Sequence, residues 1–396
     1  MRKLCIGICG PANPSEFKTY LYPNQDVPVM WPSAASVNAH IQSMLDLNQE
    51  VYVFTQSMSL KPGKKVKLIN GEKLHFIIFP HSSIPHDGRT RITCVMMLRK
   101  IVKRFICHLD ILHAQWTYEY AYVASMFSKI LPVFCTVRDW CPYQQSIQNT
   151  FEGKVIWTIN RILFNRVIND PNMNFIANSD YTYNCLISYN RNKEVSLIPN
   201  GIKSKFILKS RDKYPPLPTF ISIAQGLYDQ RKNILSLLIA FKKFSLTHKA
   251  QLKLIGLYKE DEVEQWRQKG LLDNVLLLGG MNHDEVIKQI DKSSVLVHPS
   301  LEETFGNILL EGMARRIPVI GGRKSGGVPN VLGNGKYGIL CDVTNPDSIC
   351  EAMEESIEDS GVNNIVDNAT NRLLSTFSSD VVGKKHLELY VSKLNK

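Results

Sequence analysis

The chain has 396 residues, 44% apolar and 21% charged, with a net charge of +11. That balance excludes a disordered, collagenous or disulfide-built chain and leaves room for two separate cores. Nine scattered cysteines without CxxC pairs exclude a zinc knuckle and point to free thiols in the cytoplasm. No apolar run approaches the roughly 18 residues of a membrane span.

Lys3–Cys9 reads as a short strand ending at Gly10-Pro11, not as a signal peptide. Val37–Leu47 has helical spacing, and strands follow at Glu50–Phe54, Leu74–Phe79, Ile111–His113, Val133–Thr136, Phe175–Asn178 and Val195–Ile198. Pro199-Asn200-Gly201 and the proline-rich 214–218 interrupt this rhythm and mark a linker. A second series runs through Phe220–Ile223, a helix over 232–245, Leu252–Ile255, Val275–Leu278, Val295–His298, Val319–Gly321 and Gly338–Cys341. An amphipathic helix over Val381–Leu394 closes the chain. Alternation of strand and helix predicts an α/β protein with two Rossmann-like domains facing across a cleft, and a ligand at the carboxyl ends of the strands. Residues 1–203 carry 22 Lys/Arg against 13 Asp/Glu, a net +9, so the first half should meet something acidic.

Between Val295–His298 and the apolar helical run after Asn307 stand two carboxylates, Glu303 and Glu311. Gly306 allows a tight turn between them, and the helix start offers free N–H groups to an anion. Carboxylates flanking an anion site suit sugar hydroxyls, so the implied ligand is a nucleotide sugar. Gly7-Ile8-Cys9-Gly10 is not a GxGxxG fingerprint, which argues against a dinucleotide oxidoreductase. Net charge is the only sign of nucleic-acid binding, and no module supports it.

The segment within 294–332, from Val295-Leu296-Val297-His298-Pro299-Ser300 through Glu303, Gly306, Glu311 and Gly326-Gly327, resembles the donor-site signature of family 4 glycosyltransferases. Asp110-Ile111-Leu112-His113, Ile176-Ala177-Asn178-Ser179, Ile198-Pro199-Asn200-Gly201 and Asp229-Gln230-Arg231-Lys232-Asn233 extend the likeness along nearly the whole chain. The resemblance implies a retaining enzyme of the GT-B fold that needs no metal or other cofactor. Its first domain, residues 1–203, would bind the acceptor and be rejoined by the C-terminal helix 378–396. Its second, residues 204–377, would bind the nucleotide sugar. Glu311 would hold the ribose and Glu303 the transferred sugar. Lys232 would neutralise the departing diphosphate, with Arg231 assisting or facing solvent. Backbone N–H groups of Phe305, Gly306 and Asn307 would meet diphosphate and sugar, and Gly10 joins this donor set. The expected partners are a nucleotide sugar, with UDP favoured, and a saccharide or polyprenyl-linked acceptor in surface-polysaccharide or lipopolysaccharide assembly.

Some positions depart from the family pattern. Gln115 stands where a second histidine is usual, so the predicted catalytic set is Glu303, Lys232 and Gln115. On the acceptor side His113 is followed by Arg138-Asp139 where the family has His-Asp; Arg138 could pair with phosphate or with Asp139. Gln225-Gly226-Leu227 lacks the arginine many relatives place before the lysine, and Asn330 replaces an acid. These changes keep a catalytically silent nucleotide-sugar binder, or a nucleotide-sugar epimerase of the same fold, as alternatives. Glu302 reads as a solvated acid. The run Arg89, Arg91, Arg99, Lys100, Lys103 and Arg104, interleaved with apolar residues, reads either as a solvated surface helix or as a dock for anionic lipid at the inner face of the plasma membrane.

Overall fold

A computed structural model describes residues 3–28, 30, 34–57, 60, 66–80, 88–191, 193–211 and 214–395, with the side chains of 88–91 and 359–360 outside that description. Its contacts divide the chain into two compact units, Met1–Gly201 with Ser379–Lys396, and Ile202–Ser378.

The first unit is built on eight strands: β1 (Cys5–Cys9), β2 (Glu50–Ser57), β3 (Lys67–Asn70), β4 (Leu74–Pro80), β5 (Ile111–Gln115), β6 (Val133–Val137), β7 (Met173–Ala177) and β8 (Val195–Leu197). They lie in the order β3-β4-β2-β1-β5-β6-β7-β8. All neighbours are parallel except β3, which runs antiparallel to β4. Strand β3 was not expected; Lys67-Leu68-Ile69-Asn70 is too short and too polar to signal a strand without its partner.

Helices cover both faces, so inner strands are apolar on both sides. On β5 and β6 the side chains alternate between two cores. Leu112, Ala114, Val133, Cys135 and Val137 pack with Leu98, Val102 and Phe164, while Ile111 and Phe134 pack with Val37, Ile41 and Tyr390. The period of two therefore sends His113, Gln115, Thr136 and Arg138 toward the same face, beside helix Ala35–Asp46 and the C-terminal helix Ser379–Leu394.

The second unit carries β9 (Thr219–Gly226), β10 (Gln251–Leu257), β11 (Val275–Leu277), β12 (Val295–His298), β13 (Val319–Gly322) and β14 (Ile339–Cys341), all parallel, in the order β11-β10-β9-β12-β13-β14. Strand β9 is followed in space by β10 on one side and β12 on the other. The order of the strands reverses there, and the carboxyl ends of β9 and β12 form the switch point at which such sheets bind ligands.

Candidate functional site

Two loops of the second unit meet at that switch point. After β9 the chain makes a short 3-10 turn, Gln230–Lys232, capped by Asp229, whose carboxylate accepts from the Arg231 N–H at 2.9 Å. Asn233 ends the turn with φ of 54°, a left-handed conformation that asparagine tolerates. Its amide donates to the carbonyls of Pro299 and Val343 at 3.2 and 2.7 Å. After β12 the loop 299–306 runs alongside, with Leu301 N–H donating to the Arg231 carbonyl at 2.8 Å. The two loops are thus fastened to each other before any side chain of the site is considered.

Gly306 caps helix Asn307–Ala314 with φ of 82°, where a β-carbon would lie 3.0 Å from Leu309. Glycine is required there by backbone and by space. Phe305 is buried and stacks edge-on against Phe377 at 5.7 Å, anchoring the loop with burial that contributes about 2 kcal/mol. The Gly327 N–H donates to the Glu303 carbonyl at 2.7 Å, which ties the glycine pair 326–327 to the first carboxylate.

Lys232 and Glu303 form an ion pair through Nζ and Oε1. Arg231 Nη1 approaches the same oxygen at 3.5 Å and donates to the Glu302 carbonyl at 3.0 Å. Against the desolvation of burial, the charges of Lys232 and Arg231 hold the Glu303 carboxyl well below the usual carboxylate range. Glu311, a turn and a half along the helix, accepts from or pairs with His283 Nε2 at 3.0 Å, and His283 leans edge-on against Phe206 at 4.9 Å. Thus Glu303, Lys232, Arg231, Gly306 and the helix start are brought together, and Glu311 lies one face further along the same helix. One expectation is corrected: Glu302 is buried beside the Arg231 guanidinium (3.9 Å) and does not face solvent. Of the two readings left open for Arg231, its side chain takes the one turned away from solvent.

The polar residues of the first unit form a network of their own. His113 is wholly buried: Nδ1 lies 2.6 Å from the Tyr390 hydroxyl, and Nε2 lies 2.8 Å from the Thr136 hydroxyl. His40 joins through Nε2, 3.0 Å from Tyr390, and stacks 4.4 Å from His386. Gln115 accepts from Arg138 Nε at 2.6 Å, and Arg138 Nη1 donates to Ser36 and to Asn200 at 2.9 and 2.6 Å. A cavity of about 10 Å³, room for one water, lies among His40, Arg138, Asn200 and His386. Burial pushes His40 and His113 well below the ordinary imidazole value, His386 to about 4, and Arg138 to about 10. His113 and Gln115, expected to meet acceptor and donor, are therefore core members whose polar atoms are already bonded within the unit. Arg138 spends its donors on Gln115, Ser36 and Asn200, while burial, with the Asp139 carboxylate beside it, raises the pKa of the Tyr118 hydroxyl. Gly10 makes room for this arrangement: a β-carbon there would sit 2.8 Å from Gln115 Cγ. Trp116, directly after Gln115, has φ of 65°, a strained conformation for a bulky residue.

Sequence reasoning missed His298, His283, Asn233, His40, His386 and Tyr390. His298 was legible as the last residue of a strand pointing at the switch point. Tyr390 carried no signal, because only the return of the C-terminal helix places it against His113.

The basic run lies on helix Gly88–Phe105. Cys94, Leu98, Ile101 and Val102 face the core, whereas Arg99, Lys100, Lys103 and Arg104 are exposed beside Ile92 and Met96, which are 62% and 65% exposed. The side chains of Arg89 and Arg91 lie outside the described residues. Among the described residues no three His, Cys, Asp or Glu side chains group as metal ligands, and no helix is long and apolar enough to cross a membrane.

Two family models match consecutive stretches of the chain, "Glycosyltransferase Family 4" over residues 34–206 and "Glycosyl transferases group 1" over 205–372. An uncharacterized glycosyltransferase of Methanocaldococcus jannaschii is 27% identical over 69% of this chain and 74% of its own length. A capsular polysaccharide biosynthesis glycosyltransferase of Staphylococcus aureus is 27% identical over 48% of this chain and about half (52%) of its own length. Sucrose-phosphate synthase of Thermosynechococcus elongatus superimposes with a TM-score of 0.79 at 17% identity, covering 99% of both chains.

Proposed function

The chain belongs to the family 4 glycosyltransferases of the GT-B fold, and from that premise we propose a retaining, metal-independent transfer of a hexosyl group from a nucleotide sugar, with a UDP-sugar favoured. The observation that carries the proposal is the meeting of Lys232 and Glu303, 71 residues apart in sequence, at the carboxyl ends of β9 and β12 beside a glycine-capped helix start.

Lys232 supplies the cation a departing nucleoside diphosphate needs, and Arg231 fills the place of the arginine missing at Gln225-Gly226-Leu227. The N–H groups of Phe305, Gly306 and Asn307 supply the dipole end of the helix. Glu303 takes the hydroxyls of the transferred sugar through Oε2, which receives no hydrogen bond among the described residues. Glu311 takes the ribose. In transfer with retention the acceptor oxygen bonds to the anomeric carbon on the face from which the phosphate oxygen leaves. The acceptor proton passes to that leaving oxygen, so no protein nucleophile or titrating base is required. Replacement of histidine by Gln115 is compatible with such a reaction.

The acceptor is a saccharide or a lipid-linked saccharide in surface-polysaccharide assembly. The name of the Staphylococcus aureus relative supports the product class, and the exposed face of helix Gly88–Phe105 supports a lipid surface. Four exposed basic residues there would contribute roughly 1 kcal/mol each on an anionic membrane, with Ile92 and Met96 entering its interface.

The deciding experiment is a donor panel. UDP-, GDP- and ADP-sugars are scored by thermal shift, and the stabilising donor is then followed for hydrolysis and transfer with the anomeric configuration of the product read by NMR. An inverted product removes the retaining mechanism. Binding without any turnover favours a silent nucleotide-sugar binder.

A further inference from the structure

Lys232, Arg231 and His298 all make their closest approach to one oxygen of Glu303, Oε1. The first two are cations, whereas His298 is an imidazole held neutral by burial. Its Nε2 lies 3.3 Å from Oε1 but out of line for a hydrogen bond, and it has no other partner. Arg231 Nε and Ser300 Oγ are likewise buried without a hydrogen bond. Unsatisfied buried groups are rare and each costs about 1–3 kcal/mol; three together, at the end of β12 and in the two loops beside it, mark an arrangement completed by something that arrives.

We propose that His298 is the positioning residue that holds Glu303 when Lys232 turns to a diphosphate, a role that rests on the donor-site reading above. A diphosphate carries more charge than one carboxylate and competes for the ammonium. Oε1 then loses its strongest neighbour while still shielded from water. His298 Nε2, as the neutral N–H tautomer, is the nearest donor left unspent, and a small torsion brings Oε1 into line with it. Oε2 stays directed at the sugar. The exchange keeps a buried carboxylate bonded in both states and gives the His298 nitrogen a partner.

The test separates sugar recognition from nucleotide recognition. His298→Phe removes the donor and His298→Gln keeps an N–H, and titration calorimetry compares UDP with UDP-glucose, GDP with GDP-mannose and ADP with ADP-glucose. In the wild type the sugar adds affinity over the bare diphosphate for the accepted donor. His298→Phe is expected to abolish that gain, a loss of at least tenfold, and to weaken the bare diphosphate by a smaller factor, and His298→Gln to restore most of both. Retained diphosphate binding certifies the fold; should His298→Phe not fold, His298→Ala and His298→Asn serve as the deletion and the conservative pair. Full sugar discrimination without the imidazole, or equal losses in the deletion and the conservative variant, would overturn the proposal. Wild-type sugar discrimination that survives both Lys232→Ala and Glu303→Ala sinks the donor-site reading instead.

Discussion

On the proposed reading, the cation that would take the phosphate, Lys232, is paired with the carboxylate that would take the sugar, Glu303. Donor binding is therefore an exchange, and removing the Glu303 charge should make a bare nucleoside diphosphate bind more tightly while transfer fails. Arg231 lies 3.5 Å from Glu303 Oε1 and Lys232 is closer, with all three side chains less than a fifth exposed. At an effective dielectric constant near 20, such a contact is worth about 4 kcal/mol gross. The neutral amide of Glu303→Gln still accepts a hydrogen bond, and the freed cations regain some water. The net release on diphosphate binding is then about 1.5–2 kcal/mol, or roughly 10- to 30-fold in affinity. Turnover should fall by about two to three orders of magnitude, the scale of losing one preorganised charge contact in a transition state. Calorimetry with the nucleoside diphosphate picked out by the donor panel reads the first effect, and single-turnover assay of the sugar donor reads the second. A double-mutant cycle with Lys232→Ala decides the cause: the gain should shrink severalfold in that background. Diphosphate affinity in Glu303→Gln that is unchanged or weaker refutes the exchange. A gain that survives intact without Lys232 reduces it to plain repulsion between like charges.

Glu311→Ala should weaken nucleoside diphosphate about tenfold or more by calorimetry while leaving nucleotide-free thermal stability nearly unchanged, because the helix start is held by Gly306 and Phe305. The first unit should lose stability as pH falls. Its unfolded chain takes up protons on His40, His113 and His386 below about pH 6.5, and the folded unit does so only at lower pH. His386, lowered to about 4, alone accounts for about 3 kcal/mol lost between pH 6.5 and 4. Thermal unfolding followed from pH 7.5 to 4.5 should show that slope, and His386→Gln should flatten it. Lys100→Glu with Lys103→Glu should cut binding to vesicles containing anionic lipid at least tenfold at physiological salt, with donor hydrolysis unchanged; intact vesicle binding removes the docking role of this helix.

The strands were legible because each inner strand is buried on both faces, and runs such as Val133–Thr136 or Val295–His298 admit no other reading once the helical segments between them are seen. That Lys232, Arg231 and Glu303 meet was legible for a related reason: the loops after β9 and β12 are short, so motif spacing translates directly into position. Glu302 was misjudged because its neighbour in space, Arg231, comes from the other loop, which no spacing within one loop reveals. The same cause hid His283, which meets Glu311 only because helix His283–Asp291 packs alongside helix Asn307–Ala314. Strand β3 was missed because four half-polar residues become a strand only when β4 offers its edge.

The departures of the first unit form one linked exchange. A histidine at 115 or 138 would bring a titrating ring beside a cluster that already holds His40, His113 and His386 within stacking distance of one another. The chain has an amide and a guanidinium instead, and they satisfy each other: Arg138 donates to Gln115 and then to Asn200, two residues before the chain leaves this unit. Either change alone would strand a buried partner, at about 1–3 kcal/mol for the lost bond. The two substitutions are therefore coupled, and Gln115→His together with Arg138→His should be better tolerated than either single change. The measurement is the coupling free energy in thermal or denaturant unfolding. Strictly additive losses would mean that Gln115 and Arg138 were replaced independently and that their hydrogen bond contributes nothing to the fold.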